Sequence, residues 1–202
     1  MGARVSSFSW FPGRRHAFAC LFLGLVSLDL SGCASAPPPA TFDLTAAKVH
    51  LKASSRQVYS IAEPTAILPY DSDRVVVRTG PEQVAYLTGA QWVDKLPLVL
   101  QRRLIASFDD ANLARNVGGE KQVAGQSVAI DIRRFEINAL TATADVELSV
   151  KVMDALSGRI LATKVVSVHM PAPVKGASAM VAALNDASVA ALSEVVTFVA
   201  AH

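Results

Sequence analysis

The side chains best suited to catalysis or metal binding are scattered along this chain. None of its four histidines belongs to an HxxxH or a His-x-Asp pattern, either of which would place two metal ligands on one face of a helix or strand. The sequence also contains no G-x-S-x-G nucleophile motif and no phosphate-binding loop of the GK[ST] type. We therefore predict no active site, no metal centre and no cofactor. The histidines are His16, His50, His169 and His202.

The acidic residues likewise have simple structural interpretations. Asp71 and Asp73 precede a strand and are more typical of a solvated turn than of a cation site. Asp131, Asp145 and Glu147 alternate with apolar residues, which predicts the solvent-exposed face of a sheet.

The residues before Cys33 predict a covalent modification. An arginine pair precedes a short apolar run at positions 17–28, whereas a membrane-spanning helix needs about 20 apolar residues, so the run is typical of a secretory signal. The sequence Leu30-Ser31-Gly32-Cys33 then resembles the bacterial lipobox. Small residues let a peptidase cut before Cys33, whose thiol accepts diacylglycerol and whose freed amine can be acylated. We predict removal of residues 1–32 and lipidation of Cys33. The alternatives are a secreted protein with a chance cysteine and a buried amphipathic helix.

The anchor determines where the mature protein resides. Each buried methylene contributes about 0.8 kcal/mol, so two or three acyl chains hold a protein essentially permanently. Ala34 and Ser35 follow Cys33, without the Asp that marks inner-membrane retention in lipoproteins of the enteric type. By that resemblance we expect a periplasm-facing protein at the outer membrane. Cys20 leaves with the signal, so the mature chain keeps no free thiol and no disulfide.

Composition and charge limit the partners. Hydrophobic residues make up 51% of the 202-residue chain, which excludes a disordered tail protein and suits one domain. Three basic residues and one acidic residue precede Cys33 and account for the whole net charge of +2, so nucleic acid is not an expected partner. The prolines at 37–39 predict an extended spacer. We therefore divide the mature chain into a tether at 33–44 and one domain at 45–202.

Hydrophobic periodicity predicts an α/β fold. Short strands are expected near 57–61, 66–68, 74–78 and 84–87, and longer ones at 128–137, 144–152 and 160–168. The apolar phase changes near Arg133 and Arg134, which predicts a β-bulge. A helix is expected from Gln91 to about Asn112 and another over 176–201. Together these elements predict a mixed sheet flanked by two main helices.

One proline leaves the start of the first helix open. Either the helix begins near Leu96 with Pro97 in its first turn, or a longer helix kinks at Pro97. Tyr86 and Trp92 are weak candidates for contact with a partner or a lipid. A Trp at the start of an apolar helical stretch is more often part of the core.

A series of short motifs carries a family resemblance. They are Arg78-Thr79-Gly80-Pro81, Val84-Ala85-Tyr86, Trp92-Val93-Asp94-Lys95-Leu96-Pro97, Ile130-Asp131-Ile132-Arg133-Arg134-Phe135-Glu136 and Gly158-Arg159. In this order, behind a lipobox and a proline spacer, they resemble the ABC-type transport auxiliary lipoprotein family, which includes the paraquat-inducible lipoprotein C. The resemblance spans the mature chain and implies a domain similar to the N-terminal domain of TolB.

The resemblance also implies a function and partners. Such a protein would work beside an ABC permease and ATPase and a substrate-binding protein with a mammalian-cell-entry (MCE) domain, moving lipids between two membranes. We expect a non-enzymatic component that docks to the MCE protein, and a homo-oligomer would multiply the docking surface. The alternatives are a structural lipoprotein that assists outer-membrane protein assembly, a periplasmic lipid carrier and, least favoured, a hydrolase.

Overall fold

A computed structural model describes residues 38–51, 58–113 and 125–202. The predicted signal, the lipobox and Cys33 lie outside the described residues. The elements in chain order are β1 (Ala40–Phe42), β2 (Tyr59–Ile61), β3 (Thr65–Ala66), β4 (Arg74–Arg78), β5 (Val84–Trp92), α1 (Leu96–Asp110), β6 (Gln126–Asn138), β7 (Thr143–Asp154), β8 (Ile160–Pro171) and α2 (Ala177–Ala200).

The strands form one open mixed sheet in the order β1-β5-β4-β6-β7-β8. Strands β6, β7 and β8 form an antiparallel meander, while β2, β3 and β4 each run parallel to β6 along its other edge. The helices α1 and α2 pack on the sheet face that carries residues such as Val128, Ile130 and Val150, all buried in one core. Asp131 and Lys151 lie on the other face, which is exposed. This architecture confirms the predicted α/β fold with two main helices.

The predicted bulge lies where the hydrophobic phase changes. Ile132 faces Leu148 in β7, but the next paired residue, Arg134, faces Glu147, so Arg133 is an extra residue in β6. The inserted residue allows Ile132 and Phe135 both to be buried.

Helix α1 begins at Leu96 with Pro97 in its first turn, which confirms the first of the two alternatives. Proline is tolerated there because the first turn leaves its backbone N–H groups without helical partners. Trp92 is therefore the last residue of β5 and not the first of a helix, which corrects the predicted start at Gln91. The face of α1 that carries Leu100, Leu104 and Phe108 is buried, as the periodicity predicts.

Helix α2 supplies much of the core. Its 24 residues are apolar enough to cross a membrane by length and composition, but half of its most apolar stretch is buried within the protein. Ala187 and Ala191 are fully buried, together with Leu184 and Val195. Small side chains at these positions allow the helix to lie close to the sheet.

The folded domain begins before the predicted boundary at residue 45. Phe42, in β1, accepts a 2.7 Å hydrogen bond from the Val93 backbone N–H. Asp43 forms a two-pronged ion pair with Arg103 of α1, and Leu44 is buried. Residues 40–44, predicted as tether, thus belong to the folded domain. The segment is too short to show a hydrophobic period, so its pairing with β5 is invisible in the sequence.

Candidate functional site

A row of polar side chains crosses the exposed face of the sheet. Glu136 of β6 faces Asp145 of β7, and Asp145 faces His169 of β8. Arg78, at the end of β4, and Tyr70, from the preceding loop, both reach Glu136. We call these five residues the polar row.

Glu136 is the fully buried carboxylate of this row. Arg78 donates from Nε to Oε1 at 2.5 Å and from Nη2 to Oε2 at 3.0 Å, and the Tyr70 hydroxyl donates to Oε2 at 2.6 Å. Arg134 Nε lies 3.7 Å from Oε1. Since an unpaired buried carboxylate is strongly unfavourable, this arrangement ties the 67–73 loop and β4 to β6.

The same contacts keep the donors protonated. Hydrogen bonding to Glu136 raises the pKa of Arg78 above its ordinary value. Burial, followed by the hydrogen bond to Glu136, raises the pKa of Tyr70. Tyr70 and Arg78 therefore stay hydrogen-bond donors at any physiological pH, which suits a permanent structural clamp.

Asp145 is the second carboxylate of the row, with a side chain only 3% exposed. It accepts hydrogen bonds from Thr143 Oγ1 at 2.7 Å and Asn138 Nδ2 at 3.2 Å, and His169 Nδ1 lies 2.9 Å away. Burial alone would raise the pKa of Asp145, but the bonds from His169, Thr143 and Asn138 lower it. The predicted solvent-exposed position is thus wrong for Asp145, because neighbouring side chains cover the carboxylate.

Ser167, His169 and Asp145 have the connectivity of a hydrolase triad. Ser167 Oγ lies 3.2 Å from His169 Nε2, on the side of the imidazole opposite to Asp145. A working triad also needs a substrate pocket and oxyanion donors. Ser167 and His169 instead lie exposed on β8 and line none of the grooves described below. The sequence contains half of this cluster, the S-x-H alternation of one strand, but not its pairing with β7.

Of the two weak contact candidates, the structure buries one. Trp92 is 2% exposed, and its ring packs edge-to-face on Phe135 with the centroids 5.9 Å apart. Its ring is therefore part of the core. Tyr86 is half-buried, with the Arg74 guanidinium carbon 3.8 Å from its ring centre. Tyr86 also lines an open groove of about 390 Å³ beside the start of α2.

The two other grooves are also open to solvent. One, of about 470 Å³, contains Asp71, Asp73 and Asp94, and Lys95 Nζ lies 3.4 Å from Asp71. The other, of about 360 Å³, lies between β8 and α2 beside Lys164. Within residues 38–51, 58–113 and 125–202, no group of three or more His, Cys, Asp or Glu side chains could hold a metal ion.

The decisive comparison is with a family model for the ABC-type transport auxiliary lipoprotein component, which matches residues 42–197. The chain belongs to this family. Membership confirms the resemblance that the sequence motifs predict. It makes the chain a member of a lipoprotein family, which indicates association with a membrane, and connects it with an ABC transport system.

Solved structures support the fold. A crystal structure of a Xanthomonas campestris protein of the DUF330 family has a TM-score of 0.72 and 24% sequence identity, covering 79% of this chain and 94% of that one. A second crystal structure, of an uncharacterised protein, has a TM-score of 0.65 and 10% identity, covering 80% of this chain and 99% of its own. At these identities the likeness shows the fold alone. No curated protein matches the sequence.

Proposed function

We propose that this protein is a non-enzymatic component of an ABC-type intermembrane lipid transport system, anchored in the outer membrane through Cys33 and docked to a periplasm-spanning MCE-domain partner. The observation that carries this proposal is the family match, which runs from β1 almost to the end of α2. The lipobox at 30–33 supplies the anchor, and residues after Cys33 favour the outer membrane.

The packing of the domain supports docking over lipid carriage. A carrier needs an enclosed apolar pocket large enough for acyl chains. In the described part of the chain, the buried side chains between the sheet and the helices form one continuous core. The three described grooves lie at the surface and open to solvent.

The positions of the two membranes also favour a protein interface. A domain held at the outer membrane reaches a permease in the inner membrane only through another protein. A stable interface needs about 800 Å² on each partner, and a homo-oligomer would present several copies of it. Because the mature chain is formally neutral, we expect contact at close range to matter more than long-range charge attraction.

Crosslinking and affinity purification from native membranes test this proposal. The acylated wild-type protein should recover the MCE-domain protein and the permease or ATPase of one transport system. Cys33→Ser should lose membrane attachment, yet still bind the MCE protein when both are purified, because the docking surface belongs to the folded domain. Recovery of an outer-membrane assembly factor without any transport component would favour the structural alternative. A stoichiometric lipid bound to the delipidated domain would favour the carrier.

The triad-like cluster makes the hydrolase alternative testable. Ser167→Ala removes the only hydroxyl within hydrogen-bond distance of His169 Nε2 among the described residues, and we expect no loss of envelope-barrier function. Thr163→Ala, an equally exposed hydroxyl on the same face of β8, is the matched control. Labelling of Ser167 by a fluorophosphonate, with loss of function in Ser167→Ala alone, would replace docking with catalysis.

A further inference from the structure

Three connections lie together at one end of the sheet: residues 79–83 between β4 and β5, 139–142 between β6 and β7, and 172–176 between β8 and α2. Their strands end at the same level, because Arg78 faces Asn138 and Thr143 faces Pro171. Two backbone hydrogen bonds link the connections to neighbouring strands and loops, from Ala139 N to Arg78 O at 3.0 Å and from Ala172 N to Ala142 O at 2.8 Å. We call this group the Leu140 end.

The Leu140 end exposes apolar side chains and carries few charges. Leu140 is 57% exposed at a hairpin tip, and Val174 is 50% exposed in the connection before α2. Glu82 and Lys175 are the only charged residues among the 14 that form the three connections. Exposed aliphatic side chains on an almost uncharged surface are typical of contact with a partner or a membrane.

The direction of β1 shows what lies near this end. Strand β1 runs parallel to β5, and β5 starts at the Leu140 end, so the chain before Ala40 leaves the sheet toward that end. Ala40 is paired with Ala90, next to Gln91, which faces Arg74. Arg74 lies four residues before Arg78, so Ala40 is about 13 Å below the Leu140 end.

The length of the tether then limits the distance to the lipid. Seven residues lead from Cys33 to Ala40, and an extended chain of that length spans at most about 25 Å. About half of this reach is needed to arrive at the Leu140 end. A chain acylated at Cys33 and continuing in the direction of β1 therefore brings that end to within about 12 Å of the lipid headgroups.

We propose that the Leu140 end is a membrane-contact surface, with Leu140 and Val174 inserted into the interfacial region of the lipid bilayer. The inference rests on the proposed acylation of Cys33 and goes beyond it, because it orients the whole domain. The opposite hairpin, with Leu156 at its tip, lies at the far end of β7, roughly 36 Å away, and points into the periplasm. This orientation leaves that far end free for the transport partner.

Site-directed fluorescence on the acylated full-length mature protein tests the orientation. With Cys33 acylated and Cys20 removed, a cysteine introduced at position 140, 174 or 156 is the only free thiol. Each variant (Leu140→Cys, Val174→Cys and Leu156→Cys) is labelled with an environment-sensitive NBD dye. The proteins are then reconstituted into vesicles of phosphatidylethanolamine and phosphatidylglycerol. Leu156, 83% exposed at a hairpin tip like Leu140, is the matched control.

We expect a blue-shifted emission, quenched by spin-labelled lipid, at positions 140 and 174 but not at 156. Unchanged melting of the labelled variants shows that the fold is intact. Water-like emission at all three positions in protein that floats with the vesicles would overturn the orientation and leave the anchor standing. A shift at 156 alone would do the same. If the mature protein isolated from membranes carries no acyl group at Cys33, both the anchor and this inference are overturned.

Discussion

Replacing Glu136 by glutamine tests whether the polar row is a structural clamp. The substitution keeps the shape of the side chain and removes its charge. In the wild type, Arg78 Nε lies 2.5 Å from one carboxylate oxygen and Nη2 lies 3.0 Å from the other. In the variant both nitrogens must share one amide oxygen, and they also face an amide NH₂ group, which is itself a donor. The Tyr70 hydroxyl competes for the same oxygen.

The expected loss of stability follows from the burial of the pair. Breaking a buried ion pair by neutralising one partner costs about 3–5 kcal/mol, because the remaining charge is uncompensated. The Glu136 side chain is fully buried, whereas that of Arg78 is 22% exposed and can recover some hydration, so we expect about 3 kcal/mol. This is a large share of the 5–15 kcal/mol that stabilises a typical domain.

Glu147→Gln is the matched control. It makes the same chemical change on the same face of the sheet, but Glu147 and Arg133 are 26% and 46% exposed and 3.8 Å apart. A pair of this kind contributes about 0–1 kcal/mol.

Urea unfolding of both variants, followed by circular dichroism, gives the two free energies of unfolding at constant m-value. Equal losses in the two variants, or a loss below about 1 kcal/mol for Glu136→Gln, would refute the clamp.

Three further substitutions test the core, the second buried carboxylate and the proposed anchor. Leu100→Asp should lower the free energy of unfolding by several kcal/mol because it buries an unpaired charge. Val93→Asp, at a half-exposed position, should change the free energy of unfolding little. Equal melting temperatures of the two variants would show that the buried face of α1 is assigned wrongly. The pKa of Asp145 is lowered in the folded state, so its stabilisation is present above its unfolded value near 4 and is lost as the pH falls through the lower folded value. Urea unfolding from pH 6 to pH 2 should therefore show a smaller acid-induced loss in Asp145→Asn than in wild type, and equal losses would contradict the assignment. In a detergent-sensitivity assay, Cys33→Ser should weaken the envelope barrier, whereas the conservative His169→Gln should leave it intact. A barrier weakened by His169→Gln but not by Cys33→Ser would indicate chemistry at His169.

Features determined by neighbouring residues were predictable from the sequence. The change of apolar phase at Arg133 predicted the bulge, because a strand can bury residues on both sides of a phase change only by inserting one residue. Pro97 limited the start of α1 to two alternatives, and packing selected the first. Trp92 was assigned to the wrong element because its spacing from Leu96 fits a helix as well as a strand end.

The polar row was not predictable in the same way. Alternation along β7 correctly placed Asp145 on the face opposite the core, and that face is usually solvated. Its burial depends on Asn138, Thr143 and His169. Asn138 and His169 lie on the neighbouring strands β6 and β8, whose register the sequence does not show. Glu136 is buried because Tyr70 and Arg78 fold over it, and both come from outside its own strand.

The sequence by itself determined the fold class and the family and predicted the secretory signal and the lipobox, since these depend on residues adjacent in the chain or on short motifs in a given order. Only the tertiary structure decided that the domain begins at β1 and that Trp92 is core. It also decided that two carboxylates are buried on the exposed face of the sheet and that the N-terminal end of β1 points toward the end of the sheet that carries Leu140 and Val174. The physical reason is that strand order and register bring together residues tens of positions apart, and their contacts, not their own polarity, set their burial and charge state.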